Sequence, residues 1–229
     1  LWAQIKVNGH IIGTVAGSGM TAKYAVMGGA DFLLALSAGI CRLRGRSSFT
    51  SYLCYGDSNA MVMDMGKNEL LPILSDTPVF FGLSASDPKI HIYDYLLEIQ
   101  ENRFSGIANY PTVSLIDGDF GMALREEGNS FEKEVEAIHV AHFLNLFTVA
   151  FVTDGEQARQ MAAAGADVIC AHLGLTKGGF LGAKKYISIN EARKISNEIF
   201  EACDEVNTRI IKMIYAGPAN TPIDMQYMY

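Results

Sequence analysis

The stretch GADVICAHLG, from Gly165 to Gly174, decides the fold because it turns from a helical pattern into an apolar run that ends on a histidine. Nearly the same phrase, GADFLLALSAG, runs from Gly29 to Gly39. In both copies we interpret the glycine as the left-handed residue that ends a helix, and the alanine as a small residue that permits close packing before the next strand. Ala166 follows Ala30 by 136 residues, which corresponds to four strand-helix units of about 34 residues. A phrase that recurs after half of an eightfold array favours a (β/α)8 barrel over an open sheet.

Apolar, β-branched runs alternate with helical patterns along the whole chain, which predicts an α/β fold with a parallel sheet. The helical patterns have start signals: Ser188 with Glu191 forms a capping box, and Asn129 with Glu132 and Asp154 with Gln157 have the same spacing. Seven strands are predicted, at Ile11–Ala16, Phe32–Ser37, Val79–Ser84, Gly106–Tyr110, Thr148–Thr153, Val168–His172 and Ile210–Tyr215.

The seventh predicted strand is followed only by a short segment that ends in TPIDMQYMY. Eight units would need roughly 270 residues, within the usual range of such barrels, whereas the chain has 229. We therefore expect a single TIM-barrel domain over residues 1–229 that is C-terminally incomplete, with the eighth βα unit absent from this chain.

Composition excludes several classes of function. The net charge is −7 without a basic domain, which argues against nucleic-acid binding. No apolar run reaches about 18 residues, so no membrane partner is expected. The four cysteines (Cys41, Cys54, Cys170 and Cys203) show no ligand-like spacing, and buried free thiols in a cytoplasmic protein fit them better than disulfides or zinc.

The active site of a TIM barrel lies at the C-terminal ends of its strands, so the residues after each strand are the candidates. His172 ends strand six and could act as a general acid or base. It could equally be a rim histidine satisfied by neighbouring backbone. The other candidates are Gly17 and Ser18, Ser37, Arg42 and Arg44, Asp57, Asp87, Asn109 and Thr112, Gly174, and Gly217.

The segment RLRGRSS places Arg42, Arg44 and Arg46 two residues apart. In an extended loop the three guanidinium groups would share a face and could clamp a carboxylate or phosphate. The alternative is a solvated loop with surface ion pairs. The segment from Tyr55 to Asn59 combines a turn with polar side chains, and we expect it to fold over the end of strand two.

Two further motifs have a structural and a functional interpretation. Asp87, in the triplet SDP, could hold a divalent cation or cap the following helix. The turn AGSGM, with Gly17 and Ser18, resembles a phosphate-cradling turn before a helix.

Several of these motifs together resemble the phosphoenolpyruvate hydrolase-like family of TIM-barrel proteins. They are IIGTVAGSGMTAKYAVMGGADFLLALSAG, RGRSSFTSYLCYGDSNAMVMDM, GIANYPTVSLIDGDF and GADVICAHLGLTKGG. The family is similar to phosphoenolpyruvate mutase and isocitrate lyase barrels, which handle small enol or 2-oxo acids, usually with Mg²⁺ held near the strand ends. The resemblance implies Mg²⁺ as a cofactor with Asp87 as a metal-side carboxylate, and the arginine segment as the clamp for a carboxylate or phosphate.

Two hypotheses about function agree with these features. In the first, the chain is an enzyme that acts on a small phosphorylated or carboxylated enol or 2-oxo acid by hydrolysis or lysis, with His172, Asn109 and Asp87 as catalytic residues. In the second, it is a non-catalytic barrel that senses a ligand or binds another protein. Both imply a small anionic ligand or a protein partner, and an unclosed barrel predicts a homo-oligomer because its apolar edges need cover.

Overall fold

The computed structural model describes residues 1–53 and 55–228, so the predicted thiol of Cys54 lies outside the described residues. The chain divides into two compact units, Leu1–Pro111 and Thr112–Tyr229. The expectation of one domain over residues 1–229 stays a prediction.

The first unit contains four parallel strands in the order β1-β2-β3-β4. The strands are β1 Gly13–Ala16, β2 Phe32–Ala35, β3 Val79–Gly82 and β4 Gly106–Ala108. The helices are α1 Trp2–Asn8, α2 Gly19–Met27, α3 Ser37–Leu43, α4 Ser58–Met65 and α5 Ile92–Glu101, with shorter helical turns at Ser48–Tyr52 and Gly66–Leu70.

The second unit contains three parallel strands in the order β5-β6-β7. The strands are β5 Phe147–Val152, β6 Val168–His172 and β7 Ile211–Tyr215. The helices are α6 Gly118–Glu126, α7 Phe131–Phe143, α8 Gly155–Ala163, α9 Ile189–Val206 and α10 Pro222–Met228, with a short turn at Val113–Leu115.

All seven predicted strands are present and parallel, which confirms the α/β fold class with seven barrel units. Within the described residues no eighth strand comes after β7, and the last segment forms helix α10 instead. Most observed strands are shorter than predicted. Strand β2, for example, ends at Ala35 because Ser37 already begins helix α3.

The repeated Gly-Ala-Asp phrase has the same backbone geometry in both units, as predicted. Gly29 and Gly165 each have a φ of +95°, in the left-handed region that favours glycine. The next amide then donates back into the preceding helix: Ala30 N to the carbonyl oxygen of Ala25 at 3.0 Å, and Ala166 N to that of Met161 at 3.1 Å. This pattern satisfies carbonyl groups that a helix end would otherwise leave without a partner.

The aspartate of the phrase also has one role in both units, which the sequence did not reveal. The carboxylate of Asp31 accepts the amide of Ile12 at 2.8 Å. The carboxylate of Asp167 accepts the amide of Thr148 at 2.9 Å and its hydroxyl at 3.1 Å. In each case the aspartate ties the turn to the start of the preceding strand, at Ile12 just before β1 and at Thr148 in β5, so the phrase sets the spacing of two neighbouring strands.

The predicted helix starts are partly confirmed. Ser188 accepts the amide of Glu191 at 3.1 Å, and Asp154 accepts the amide of Gln157 at 2.8 Å. The prediction for Asn129 is wrong, because helix α7 begins at Phe131 with Ser130 as its N-cap. The turn before α7 is therefore one residue longer than the spacing suggested.

The interior is apolar in both units, as the strand pattern requires. Strands β2, β3, β4 and β6 are buried along their whole lengths. Cys41, Cys170 and Cys203 are free and buried, as predicted for these three thiols. None of the helices in the described part of the chain is long and apolar enough to cross a membrane.

Candidate functional site

A cavity of about 500 Å³ lies at the C-terminal end of β2 in the first unit. Helix α3, which comes almost directly after β2, forms one side, and the segment that leads into α4 forms the other. The described lining residues are Ser37, Cys41, Arg44, Arg46, Thr50, Ser51, Leu53, Tyr55, Gly56, Ser58 and Met61. The charged groups in this lining are two guanidinium groups, so the cavity is cationic within an acidic chain.

Two glycines permit the backbone approach that places α3 at this position. A Cβ on Gly17 would lie 2.4 Å from the carbonyl group of Gly39, and one on Gly39 would lie 2.6 Å from the carbonyl oxygen of Ala16. Only residues without a side chain fit there, so the end of β1 packs directly against the start of α3. Gly17, predicted as a ligand-binding residue, has this packing role in the structure, and its amide donates to Thr21 Oγ1 at 3.2 Å.

The arginine segment is not the extended loop that the spacing suggested. Helix α3 continues through Leu43, so Arg42 lies in its last turn and donates to Ser48 Oγ at 3.4 Å. Arg44 is the C-cap of α3, and Arg46 comes after a glycine with a φ of +72°. As a result Arg44 and Arg46 line the cavity, whereas Arg42 is not among the lining residues.

Hydroxyl groups supply the other polar contacts of the cavity. Ser58 Oγ donates to Ser37 Oγ at 2.7 Å, which links the start of α4 to the start of α3. Ser51 Oγ donates to the carbonyl oxygen of Ser48 at 2.6 Å. The predicted segment from Tyr55 to Asn59 does contribute to the cavity, through Tyr55, Gly56 and Ser58, but Ser51 was not singled out from the sequence. The Cys41 thiol is also in the lining, and burial raises its pKa, so it stays protonated near neutral pH.

A second group of polar residues lies at the end of β3, and we call it the β3 cluster: Asp57, Asn59, Asp87 and Lys89. Asn59 is buried and fixed to the end of the strand, since its Oδ1 accepts the amide of Ser84 at 2.9 Å and its Nδ2 donates to the Ser84 carbonyl oxygen at 3.1 Å. Its Nδ2 also donates to Asp87 Oδ2 at 3.4 Å. These residues border an open cavity of about 550 Å³.

Asp87 does not cap a helix, so that prediction is wrong. Helix α5 begins at Ile92 with His91 as its N-cap. Asp87 Oδ1 instead accepts the amide of Lys89 at 2.9 Å, in a tight turn around Pro88. Proline and aspartate favour such turns as strongly as they favour helix starts, which explains the error.

The Asp57 carboxylate of the β3 cluster accepts hydrogen bonds from two groups. Its Oδ1 accepts the amide of Ala60 at 2.9 Å, which caps helix α4, and its Oδ2 accepts the ammonium group of Lys89. The Ala60 amide, followed by the Lys89 ammonium, holds the pKa of Asp57 below its ordinary value. The hydrogen bond to Asp57 in turn raises the pKa of Lys89.

The residues around Asp87 do not fit the Mg²⁺ site that the resemblance implies. The neighbouring Asp57 is already paired with the ammonium group of Lys89. Among the described residues there is no group of three His, Cys, Asp or Glu side chains placed to hold a metal ion.

The turn at Ser18 is a helix cap. Ser18 is the N-cap of α2, and its Oγ accepts the amide of Thr21 at 3.3 Å. Thr21 Oγ1 accepts the amide of Ser18 at 3.1 Å, and the carboxylate of Glu69 accepts the amide of Gly19 at 3.0 Å. The amides that would cradle a phosphate are therefore engaged within the protein, and the carboxylate of Glu69 is the anion at this helix start.

His172 ends β6 in the second unit, as predicted, but it is enclosed. Its ring packs against the rings of Phe151 and Tyr215, with centroid distances of 5.7 Å and 5.2 Å. Its Nδ1 accepts the amide of Gly174 at 3.2 Å, and only 6% of the residue is exposed. Burial lowers the pKa of His172 to about 4, so the imidazole is neutral near pH 7. This geometry favours the interpretation of a rim histidine satisfied by backbone.

Of the remaining predicted site residues, Thr112 and Gly217 have local structural roles. Asn109 is buried. Thr112 is also buried, and its Oγ1 accepts the amide of Ser114 at 3.2 Å, which caps the turn at Val113–Leu115. Gly217 has a φ of +67°, and a Cβ there would lie 2.5 Å from the carbonyl oxygen of Leu173. The ligand roles of these residues stay predictions.

Comparison with known proteins supports the fold and assigns the family. The "ToMV susceptible protein tm-1(GCR26)" of Solanum lycopersicum is 36% identical over 225 residues, which are 98% of this chain. The chain spans only 30% of the length of that relative.

Two solved structures share the fold at low identity. A phosphonopyruvate hydrolase in complex with oxalate and Mg⁺⁺ has a TM-score of 0.60 at 12% identity, over 99% of this chain and 75% of that chain. A phosphoenolpyruvate phosphomutase from Streptomyces platensis subsp. rosaceus has a TM-score of 0.58 at 13% identity, over 94% of this chain and 79% of that chain. These similarities show the α/β barrel fold, of which the described residues hold seven strands.

The profile of one family, described as phosphoenolpyruvate hydrolase-like, matches residues 1–229. This match covers the whole chain, and the relative named above is 36% identical over 98% of it. The chain therefore belongs to the phosphoenolpyruvate hydrolase-like family.

Proposed function

We propose that the chain binds a small carboxylated or phosphorylated acid in the cavity at the end of β2, and acts on it as an enol or 2-oxo acid hydrolase or lyase. The observation that carries this proposal is the cavity itself, in which Arg44 and Arg46 and the hydroxyl groups of Ser37, Ser51 and Ser58 converge.

The lining has the chemistry that such an acid requires. A guanidinium group can donate two parallel hydrogen bonds to a carboxylate or phosphate, and it stays charged at any physiological pH. Ser37 Oγ accepts from Ser58 Oγ, so its own proton can be donated to a ligand, and a fixed donor of this kind stabilises negative charge that develops on an enolate oxygen. The volume of about 500 Å³ lies within the usual range of small-molecule sites.

A protein that shares the fold supports the same class of ligand. One solved barrel of the same fold was determined with oxalate and Mg⁺⁺, and oxalate is a small dicarboxylate. We propose a comparable acid for this chain, which the cavity would bind without a metal at Asp87, because the residues there do not fit one.

Ligand binding without turnover is the second candidate. The ionisable groups of the described cavity lining are two guanidinium groups, a protonated thiol and a phenol, which bind an anion readily but are poor general bases near pH 7. The name of the Solanum lycopersicum relative refers to ToMV susceptibility and not to a reaction.

The test is an anion screen by thermal shift with phosphoenolpyruvate, oxaloacetate and oxalate, on the wild type and on Arg44→Ala and Arg46→Ala. We expect at least one acid to raise the melting temperature. Each arginine variant should weaken binding about tenfold or more, because a charge-assisted hydrogen bond is lost. Arg125→Ala removes an exposed arginine of helix α6 and is the matched control.

Turnover of the stabilising acid, followed by release of pyruvate or phosphate, then separates the two candidates. Product formation that Arg44→Ala abolishes supports the enzyme. Binding without product supports the sensor. If no acid stabilises a protein that melts cooperatively, or if Arg125→Ala weakens binding as much as Arg44→Ala, the cavity is not the anion site.

A further inference from the structure

The β3 cluster contains two carboxylates and one built-in cation. A single residue, Lys89, engages both carboxylates: its backbone amide donates to Asp87 Oδ1 at 2.9 Å, and its ammonium group pairs with Asp57 Oδ2. Asp87 and Lys89 are separated only by Pro88, so the tight turn that holds Asp87 also directs the ammonium group toward Asp57.

We propose that the ammonium group of Lys89 takes the place of a divalent cation at the β3 cluster. The wild-type chain then has no Mg²⁺ site at Asp87, and removal of Lys89 creates one. This inference concerns the cation alone and does not depend on the acid proposed for the cavity at the end of β2.

Charge supports the substitution of a lysine for a metal. A lysine ammonium is a compact point charge with three donors, which makes it the side-chain group most similar to a hydrated cation. Its pairing with Asp57 Oδ2 neutralises one of the two negative charges of the β3 cluster. A divalent ion at the same position would face the repulsion of this ammonium group at close range.

The carboxylates are held by the protein in a way that would survive the loss of the lysine side chain. Asp57 keeps the amide of Ala60, and Asp87 keeps the buried amide group of Asn59. The backbone amide of residue 89 also remains in any variant other than proline. Removal of the ammonium group therefore leaves two carboxylates in place, next to an open cavity of about 550 Å³; oxygen ligands of this kind are the ones that Mg²⁺ and Mn²⁺ prefer.

The variant should fold, because the side chain of Lys89 is 65% exposed and that of Asp57 is 32% exposed. Exposed ion pairs of this kind contribute little to stability. The effect of Lys89→Ala should thus appear in cation binding and not in the melting temperature.

The experiment is a titration with Mn²⁺, followed by electron paramagnetic resonance, in the absence of any acid. The proteins are the wild type, Lys89→Ala, Lys89→Arg, the double variant Lys89→Ala with Asp87→Asn, and Lys67→Ala. Lys67 borders the same cavity and is the matched control. We expect Lys89→Ala to bind Mn²⁺ at least about tenfold more tightly than the wild type, since a like charge is removed. The double variant should lose that gain, and Lys89→Arg and Lys67→Ala should resemble the wild type.

Three results would overturn the proposal. One is tight Mn²⁺ binding by the wild type that Asp87→Asn abolishes, because the metal site would then already exist. Another is a gain of less than tenfold in Lys89→Ala. The third is an equal gain in Lys67→Ala, which would reflect general charge. Since no acid is present, failure here leaves the proposed function untouched, and a failed anion screen leaves this proposal untouched.

Discussion

Strands β2 and β6 begin in the same way and end in opposite ways. Each comes after a Gly-Ala-Asp turn whose glycine has a φ of +95°. The end of β2 opens into a cavity lined by Arg44 and Arg46, whereas the end of β6 is closed by the rings of Phe151 and Tyr215, which pack against His172. The start of a strand is thus set by a backbone requirement that recurs in the sequence. The end of a strand is set by side chains that come from other parts of the chain.

This comparison separates the residues that set the fold from the residues that are proposed to bind the ligand. The repeated turn fixes strand spacing through two aspartates, and no ligand needs to touch it. The proposed ligand binding depends on the residues at the C-terminal end of a strand, and there β2 and β6 differ in charge and in exposure. A histidine at a strand end is consequently a weaker sign of catalysis than an arginine that borders a cavity in this chain.

The largest expected effect tests whether the end of β6 is closed. The pKa of His172 is about 4 in the folded chain and 6.5 in the reference state. As the pH falls through 6.5, His172 takes up a proton in the unfolded chain but not in the folded chain. The free energy of unfolding therefore falls between pH 6.5 and about 4. Below about pH 4 both states are protonated at His172, and its contribution no longer changes with pH. The wild type should lose roughly 2–3 kcal/mol of unfolding free energy from this group between pH 7 and pH 4.5.

The variant His172→Phe keeps a ring in the cluster and removes the titration. Urea unfolding at pH 7 and at pH 4.5 should show a smaller pH-dependent loss than in the wild type. His139→Gln, an exposed position on helix α7, is the control and should keep the full loss. An unchanged loss in His172→Phe would mean that the imidazole is hydrated, and the contrast between the two strand ends would disappear.

The second effect compares the two glycines of the repeated turn. An alanine at Gly29 or Gly165 would carry the strain of a left-handed residue, roughly 1–2 kcal/mol. At Gly165 the new Cβ would also lie 2.7 Å from the His142 ring, whereas at Gly29 it would meet nothing within 4 Å. Gly165→Ala should therefore cost about 1–3 kcal/mol more than Gly29→Ala in chemical unfolding.

His142→Ala provides the internal check for that comparison. Combined with Gly165→Ala, it should bring the cost of the glycine substitution down to the Gly29 value, because the clash is gone and the strain remains. Equal costs for the two single variants would show that the exposed imidazole of His142 simply rotates away.

The sequence predicted the parts of the fold that local pattern determines. Seven apolar runs predicted seven strands, and the recurrence of Gly-Ala-Asp predicted the length of the strand-helix unit. The phrase recurs because a helix that ends in the left-handed conformation requires glycine at that position, whatever the rest of the chain does. Strand ends were less predictable, as at Ser37, where the same small polar residues suit the end of a strand and the start of a helix.

The candidate site was predicted only where its residues are close in sequence. Arg44 and the segment after Tyr55 were identified from their spacing. The enclosure of His172 was not, since Phe151 and Tyr215 lie 21 residues before it and 43 residues after it in the chain. Asp87 was misassigned because an aspartate before proline suits both a turn and a helix cap. Lys89 was missed because its charge acts on Asp57, 32 residues away in sequence.

The smallest expected effect tests whether the two aspartates of the repeated turn are equivalent. Asp31 accepts one hydrogen bond from Ile12 in an exposed setting, and Asp167 accepts two from Thr148, which is fully buried. Asp31→Ala should cost about 1 kcal/mol, near the value of a single exposed hydrogen bond, and Asp167→Ala about 1 kcal/mol more.

Thr148→Val distinguishes the causes of that difference. It removes the Thr148 hydroxyl, which donates to the Asp167 carboxylate and accepts the Asp167 amide. It keeps the Thr148 backbone amide, which also donates to the Asp167 carboxylate. If the hydroxyl accounts for the additional cost, Asp167→Ala in the Thr148→Val background should cost as little as Asp31→Ala. A difference that persists in this background would instead place the added stability in the buried amide. The two turns would then differ through burial alone, even though their residues and backbone angles are the same.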